Sequence, residues 1–310
     1  TSRGLGDVYK RQYFGRPDVE FDEFIALRTR ATYQILFKLD MSKATGPDSI
    51  PAVILRHIAK YIARPFTIRC RRLLQEGCWP QLWKVHQICP LYKRATAFNA
   101  SNYRGIHLTT ILSKVAEKVI GARLTRYLLA GKCGEDQWAF TPGLSARDLL
   151  TALVMSWIMM ICAGKKVAGF LGDITGAFDR VCKDYLMAKL HAAGIGSTYL
   201  NFLDSYLQPR RAQVMVEGAA SDDFEIANTV FQGAVLGPIL WNLFFADVSI
   251  PAQSTGGESY KFADDLSIFQ GFKKSTSNAE ILRRMHICRH RVHTLSLIHI
   301  SEPTRRRGMA

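Results

Sequence analysis

The sequence predicts an α+β fold in which a small sheet carries acids at its strand ends and helices fill the intervals. Three observations predict it. Val167–Leu171 is a short apolar run that ends at Asp173, with Phe178 and Asp179 following where a helix begins. Tyr260–Asp265, YKFADD, is a second apolar run with acids at its end, read as a hairpin with its tip at Ala263–Asp265. Most of the remaining chain places apolar residues at helical spacing. Two strands that each end in carboxylate can lie side by side and bring their acids together. Such a cluster raises the pKa of its members or takes up cations. Hard oxygen ligands suit Mg²⁺, which keeps several waters and shares its coordination with substrate phosphates.

Taken in order, Phe21–Leu39 has a partial helical pattern. Lys43–Pro51 is a Gly/Pro loop, and Pro51 is placed to start a helix over Ala52–Ile62. Pro65–Glu76 continues in helix, with Phe66, Ile68, Leu73 and Leu74 inward and Arg69, Arg71 and Arg72 outward. Trp83–Tyr92 reads as a strand that includes the breaker Pro90 and ends at Lys93 and Arg94. Asn102–Leu108 is a short extended segment with Arg104 between apolar neighbours. Ile111–Leu129 sets Leu112, Val115, Val119, Ile120, Leu124 and Leu128 on one stripe. Lys114, Lys118 and Arg126 lie off it, so an amphipathic helix with a basic face is expected.

Gln137–Arg147 is a Gly/Pro loop leading into Leu149–Gly164, an apolar stretch that falls short of a membrane span and is expected to be a buried helix. After the first acid, Val181, Tyr185, Leu186 and Leu190 keep helical spacing until Gly194 and Gly196. Thr198–Leu207 is a further short helix. Arg210–Gly218 and Phe224–Val230 read as paired strands, Leu236–Phe245 as a helix, and Asn278–Val292 as another.

Length and composition bound the function. A chain of 310 residues with 48% apolar content can bury a sizeable core. Its 41 Lys and Arg against 26 Asp and Glu leave +15, which favours a polyanionic partner through counterion release. The seven cysteines form no CxxC pair and no metal-ligand spacing, so they read as free thiols in a reducing compartment. No secretory signal is read at the start.

Three motifs carry a family resemblance. Asp173-x-x-x-Ala177-Phe178-Asp179 resembles palm motif A of the reverse transcriptases, most closely those of non-LTR retrotransposons. Gln232-Gly233-Ala234-Val235-Leu236-Gly237-Pro238 resembles motif B, and Phe262-Ala263-Asp264-Asp265 resembles motif C. The resemblance covers about Lys43–His293. It implies a right-hand polymerase palm, a ferredoxin-like βαββαβ sheet, with helix-rich fingers and the thumb absent from this span. The implied chemistry is two-metal transfer of a nucleotide from a dNTP to a primer 3′-hydroxyl on an RNA template. Two Mg²⁺ ions, with Mn²⁺ as a substitute, are expected at Asp173 and Asp264, with Asp265 as a weaker ligand.

In the resembled family Lys93 and Arg104 lie in the fingers and hold the triphosphate. Arg grips phosphate in a fork and Lys supplies a point charge. Phe178 matches the residue that stacks under the sugar and selects dNTP, the 2′-hydroxyl being the available discriminator. Gln232 and Gly233 are expected to contact the incoming nucleotide and template, the glycines letting backbone approach a base or sugar closely. Asp179 reads as a helix-start acid. Where Thr141 stands the family often has a basic residue. An RNA-dependent RNA polymerase and a non-catalytic nucleic-acid-binding remnant stay open as alternatives. A nuclear or cytoplasmic protein with no membrane partner is expected.

The ends read differently. One DNA sequence encodes Thr1–Gln12, and its in-frame reverse complement encodes Leu295–Arg306 at every position. The pair resembles a sequencing-library adapter entered in opposite orientations, a natural terminal inverted repeat being the alternative. The expected division is therefore 1–12 adapter-like, 13–42 N-terminal extension, 43–165 fingers, 166–294 incomplete palm and 295–310 adapter-like. A chain of this extent is expected to extend a primer poorly by itself.

Overall fold

The computed structural model describes residues 26–94, 96–174, 177–227, 229–249 and 256–299, with only the backbone described for Ser101 and 293–299. The adapter-like segment 1–12 and residues 300–310 of the second lie outside the described residues, as does the start of the helix expected over Phe21–Leu39.

A helical body comes first. α1 (Thr29–Phe37), α2 (Ala52–His57) and α3 (Ala59–Gln75) are followed by a short 3₁₀ turn at Gln81–Lys84. The single helix expected over Ala52–Ile62 breaks at Ile58, whose φ of −90° and ψ of 6° leave the helical region. α3 then begins six residues ahead of Pro65. Pro65 is tolerated because it is exposed, so the carbonyl it leaves unpaired can meet water. Ala59, Ala63, Thr67, Cys70 and Leu74 make the buried stripe of α3. Ile68, expected inward, is 43% exposed because it lies about 100° around the helix from Thr67.

A five-stranded sheet follows. β1 (Val85–Tyr92) pairs antiparallel with β2 (Tyr103–Leu108) and parallel with β4 (Arg210–Val216). Two short strands, β5 (Ala219–Ala220) and β6 (Phe224–Ile226), both pair with β4. β4 meets β1 only over Val85–Ile88, so the missing N–H of Pro90 costs no ladder bond on that side.

α4 (Ile111–Leu129) runs through the centre, its first turn capped by the Thr110 hydroxyl, which accepts from Ser113 N at 3.1 Å. It has the apolar stripe and the basic side that the sequence suggests: Val115, Val119, Ile120, Leu124 and Leu128 are buried, while Lys118 and Arg126 are exposed and Lys114 is half-buried. α1, α3 and α8 (Gly237–Phe244) pack against it, and Ile111, Ser113, Val115, Ala116, Glu117, Val119, Ile120 and Gly121 are all buried. The three helices cover its apolar side closely over the first three turns and leave Lys118, Ala122, Arg123 and Arg126 facing solvent.

α5 (Ala146–Cys162) begins with a reciprocal cap between Ser145 and Asp148. It was expected to be buried, and is not: only Leu153 is buried, while Leu150, Met155, Met159 and Ile161 are more than half exposed. α5 touches the strands after it along one stripe, where the Trp157 ring lies 4.8 Å from Phe269. Apolar composition cannot supply a second layer to cover the other faces. No helix of the described residues is long and apolar enough to cross a membrane.

The second sheet has three antiparallel strands in the order β3-β8-β7, with β3 at Lys165–Asp173, β7 at Glu258–Phe262 and β8 at Asp265–Lys273. Gly169 pairs with Phe269, and a Cβ there would come within 2.4 Å of the Phe269 ring. α6 (Lys183–Ala192) and α7 (Ser197–Tyr206) join α8 between β3 and β7, and α9 (Asn278–His299) follows β8. Among the described residues this is βαββα of the expected βαββαβ, so the sheet shows three strands rather than a full ferredoxin-like set. The main core lies between the helices, with Trp79, Trp241, Tyr199, Phe202 and Tyr206 almost wholly buried.

Candidate active site at the open end of the three-stranded sheet

The antiparallel register places Asp173, the last residue of β3, directly opposite Asp265, the first of β8. Asp264 precedes Asp265 in the two-residue turn from β7, where Phe262 pairs with Asp265. Three carboxylates thus collect at one sheet end. The Asp265 carboxyl is raised above its ordinary value, first by desolvation and then by the charges of Asp264 and Asp173. That effect on Asp265 fits a divalent cation: neighbouring hard oxygens repel until an ion neutralises them. Among the described residues no three His, Cys, Asp or Glu side chains converge tightly enough to hold an ion alone. Mg²⁺ does not require that, since one or two carboxylates suffice when water and phosphates complete its shell.

Motif A and motif B residues meet just beyond. Phe178 and Asp179 lie in a 3₁₀ turn, Ala177–Arg180, which comes after β3 in sequence. The Phe178 carbonyl accepts from Val230 N and from the Thr229 hydroxyl, both at 2.9 Å. The Phe178 ring stacks on Trp241 of α8 at 5.3 Å and 24°, with Phe140 edge-on at 6.4 Å, and remains half-buried. The Gln232 amide donates to Asp179 at 3.3 Å, so it is engaged within the protein rather than projecting freely. Desolvation raises the Asp179 carboxyl against the opposing pull of Thr229, Lys93 and Arg180, which puts Lys93 within electrostatic reach of this turn. Gly233 has φ +92°, and a Cβ on it would lie 2.9 Å from the His107 carbonyl of β2. Its freedom from a side chain therefore serves contact with β2.

Lys93 and Arg104 sit on the β1–β2 hairpin, both exposed. Arg104 is opposite Leu91, and Lys93 is two residues beyond Leu91, so the pleat directs both side chains to one face.

Residues that sequence reasoning passed over hold these parts together. Glu117, wholly buried in α4, accepts through one oxygen from Val235 N at 2.6 Å, Leu236 N at 2.9 Å and the Tyr206 hydroxyl at 3.1 Å. It thereby fixes motif B at the entry to α8. Burial pushes its carboxyl up against the pull of these donors and of Arg210. Arg210, itself 1% exposed, donates to Tyr206 O, meets His86 Nε2 at 2.8 Å and lies over the Phe231 ring at 3.8 Å. His86 and His107 face each other through Nδ1 at 3.0 Å. Burial and the nearby Arg210 charge hold His86 down at about 2 and His107 at about 4. The available signal was an acid amid the apolar residues of Ile111–Leu129, which marks Glu117 as needing buried partners.

Carboxylates at an open sheet end, beside a hairpin whose exposed bases share one face, make a centre suited to phosphoryl-transfer chemistry with divalent cations. The comparisons narrow that class. The chain belongs to the reverse transcriptase (RNA-dependent DNA polymerase) family, whose profile matches residues 92–297. It is 28% identical over 239 residues to the probable RNA-directed DNA polymerase from transposon X-element of Drosophila melanogaster, covering 76% of this chain and 26% of that protein. It is 26% identical over 249 residues to the probable RNA-directed DNA polymerase from transposon BS of the same species, covering 78% and 27%. The RNA-directed DNA polymerase from its mobile element jockey is 28% identical over 216 residues, 69% of this chain and 24% of that protein. The chain spans about a quarter of the length of these curated relatives. The non-LTR retrotransposon type expected from the three motifs is borne out.

Proposed function

We propose that this chain carries the nucleotidyl-transfer centre of a retrotransposon RNA-directed DNA polymerase. The reaction joins the primer 3′-oxygen to the α-phosphorus of a dNTP, breaks the bond to pyrophosphate and releases the hydroxyl proton. The observation that carries this reading is the Asp173–Asp265 register, which gathers Asp173, Asp264 and Asp265 at one sheet end. Their oxygens would hold two Mg²⁺ ions, or Mn²⁺ in their place. Bound there, the ions would acidify the 3′-hydroxyl and neutralise the triphosphate.

The chain's own residues do the rest. Lys93 and Arg104 bind the triphosphate from the hairpin face they share. The half-buried ring of Phe178, backed by Trp241, forms the floor under the sugar and excludes a 2′-hydroxyl. Gln232 exchanges its bond to Asp179 for contact with nucleotide and template, and Gly233 shapes the loop beside it. Residues 43–165 act as fingers and 166–294 as palm, with an RNA template and DNA primer crossing between them. All seven cysteines are free, which supports an intracellular, reducing setting, in nucleus or cytoplasm.

The test is dNTP addition to a DNA primer annealed to RNA. The chain is assayed alone and grafted in place of the matching span of a full-length relative. Mg²⁺-dependent extension by the graft is expected, with loss in Asp264→Ala. A graft that folds yet neither extends a primer nor binds Mn²⁺ through Asp173 and Asp264 would overturn the proposal.

A further inference from the structure

Ala263, the residue before Asp264, has φ +57°. That region is disfavoured for an alanine, so a turn which adopts it must be held from outside. Two side chains from elsewhere in the chain grip both of its backbone polar groups. Gln137 Oε1 accepts from Ala263 N at 3.0 Å, and Gln137 Nε2 donates to Ala263 O at 3.3 Å. Trp241 Nε1 donates to the same carbonyl at 2.9 Å. Gln137 is 3% exposed and Trp241 is fully buried, so water competes poorly for these bonds.

Gln137 is in turn held. Its Oε1 also accepts from Ala139 N at 3.1 Å, and its own carbonyl accepts from the Thr141 hydroxyl at 3.0 Å. The segment around it is zipped to β7: Lys261 N donates to Asp136 O at 2.7 Å and Trp138 N to Lys261 O at 2.9 Å. The Lys261 side chain, wholly buried, pairs with Asp136 at 2.9 Å, and the Ser259 hydroxyl donates to the other Asp136 oxygen at 2.8 Å. A loop more than 120 residues away in sequence therefore acts as an extra strand beside the hairpin, ending in an amide that clasps the tip.

We propose that Gln137 is a positioning residue which, with Trp241, locks the Ala263 turn and so fixes the direction in which Asp264 presents its carboxylate to a divalent cation. The inference rests on the metal-binding role proposed above for Asp264. It makes the loop before α5 part of the metal centre, through the Ala263 backbone and with no ligand of its own. Gln is suited to the task because one planar amide supplies the acceptor and the donor that a peptide unit needs on its two polar groups.

The experiment compares the chain with Gln137→Met, Gln137→Glu, and Asp264→Ala by amide hydrogen exchange and by Mn²⁺ titration followed by electron paramagnetic resonance. Methionine keeps the length and apolar packing but none of the bonds. Glutamate keeps the acceptor for Ala263 N but carries a charge. A packing role predicts that Met is the milder change, since a buried charge is the costlier substitution. A positioning role predicts the opposite order at the turn.

We expect Ala263 exchange to rise on the order of tenfold in Gln137→Met, with exchange in α4 unchanged, and less of a rise in Gln137→Glu. We also expect Mn²⁺ affinity to fall by about tenfold in Gln137→Met. Unaltered Ala263 exchange and Mn²⁺ affinity in Gln137→Met would overturn the inference. If the unsubstituted chain shows no Mn²⁺ binding that depends on Asp264, the functional reading fails instead, while the exchange comparison still decides whether Gln137 clamps the turn.

Discussion

Two carboxylate sites in this molecule are built on opposite principles. At the open end of the three-stranded sheet, Asp173, Asp264 and Asp265 are partly or largely exposed and crowd one another, and the Asp265 carboxyl is raised in part by its like-charged neighbours. Behind motif B, Glu117 is wholly buried, carries no acidic neighbour in its bonding shell and is wrapped by two backbone N–H groups and a tyrosine hydroxyl. The first site is left short of positive charge, so a cation has something to neutralise. The second has three donors built in on one oxygen, and these hold the motif B loop. The two lie on different elements: the acids stand at the ends of β3 and β8, while Glu117 in α4 holds the loop that enters α8.

Removing the buried acid should have the largest effect on the fold. Glu117→Ala leaves Val235 N, Leu236 N and the Tyr206 hydroxyl without their acceptor and is expected to destabilise by about 3–5 kcal/mol, read from urea unfolding. A loss below 1 kcal/mol would show that motif B is held by other contacts. At the open site the effect should fall on chemistry instead. Asp264→Ala, in the grafted protein, is expected to lower primer extension by roughly 10²–10³ with an unchanged unfolding midpoint. A variant that lost both together would blur the distinction between the two sites.

The buried histidines beside the Glu117 network make its stability pH-dependent. His86 and His107 have folded-state values held below the ordinary 6.5, at about 2 and about 4. Groups depressed on folding contribute stability that is present above pH 6.5 and is lost as pH falls toward about 4 and below. Thermal unfolding at pH 7 and pH 4.5 should differ by on the order of 2 kcal/mol per histidine. His107→Phe should flatten that dependence, and an equally steep profile in the variant would remove His107 from it.

Smaller effects are expected at the exposed end. Ala263→Gly relieves the positive φ and should stabilise by about 0.5–1 kcal/mol in urea unfolding, and a lowered midpoint would show that the turn holds no strain for glycine to relieve. Asp265→Asn removes one of three mutually repelling charges. It should leave the unfolding midpoint in place or raise it slightly, the reverse of the expectation for Glu117. A clear fall would mean that Asp265 is already paired in the folded state.

Much of this was legible in the residues themselves. The acid-ended strands, the hairpin tip and the helix over Ile111–Leu129 follow from local periodicity and turn chemistry, and each lies where those rules put it. The three motifs led to the family because their order and spacing survive in sequence. Errors fell where a local pattern met a non-local outcome. Leu149–Gly164 looks buried because it is apolar, yet α5 meets the sheet along one stripe only. Ile68 looks inward until the direction of the α3 stripe is known.

Sequence alone determined which elements form and which side chains can carry the chemistry, because helical and strand periods, caps and acid placement act over a few residues. Tertiary structure alone decided that Asp173 faces Asp265 and not Asp264, that Gln137 reaches Ala263, and that Glu117 closes on Val235 and Leu236. Those partners are separated by about ninety to more than a hundred residues. Their meeting depends on strand register and helix packing, which are properties of the whole core. A register slip of one residue would turn every side chain of β8 to the other face and undo the pairing without changing a single local propensity.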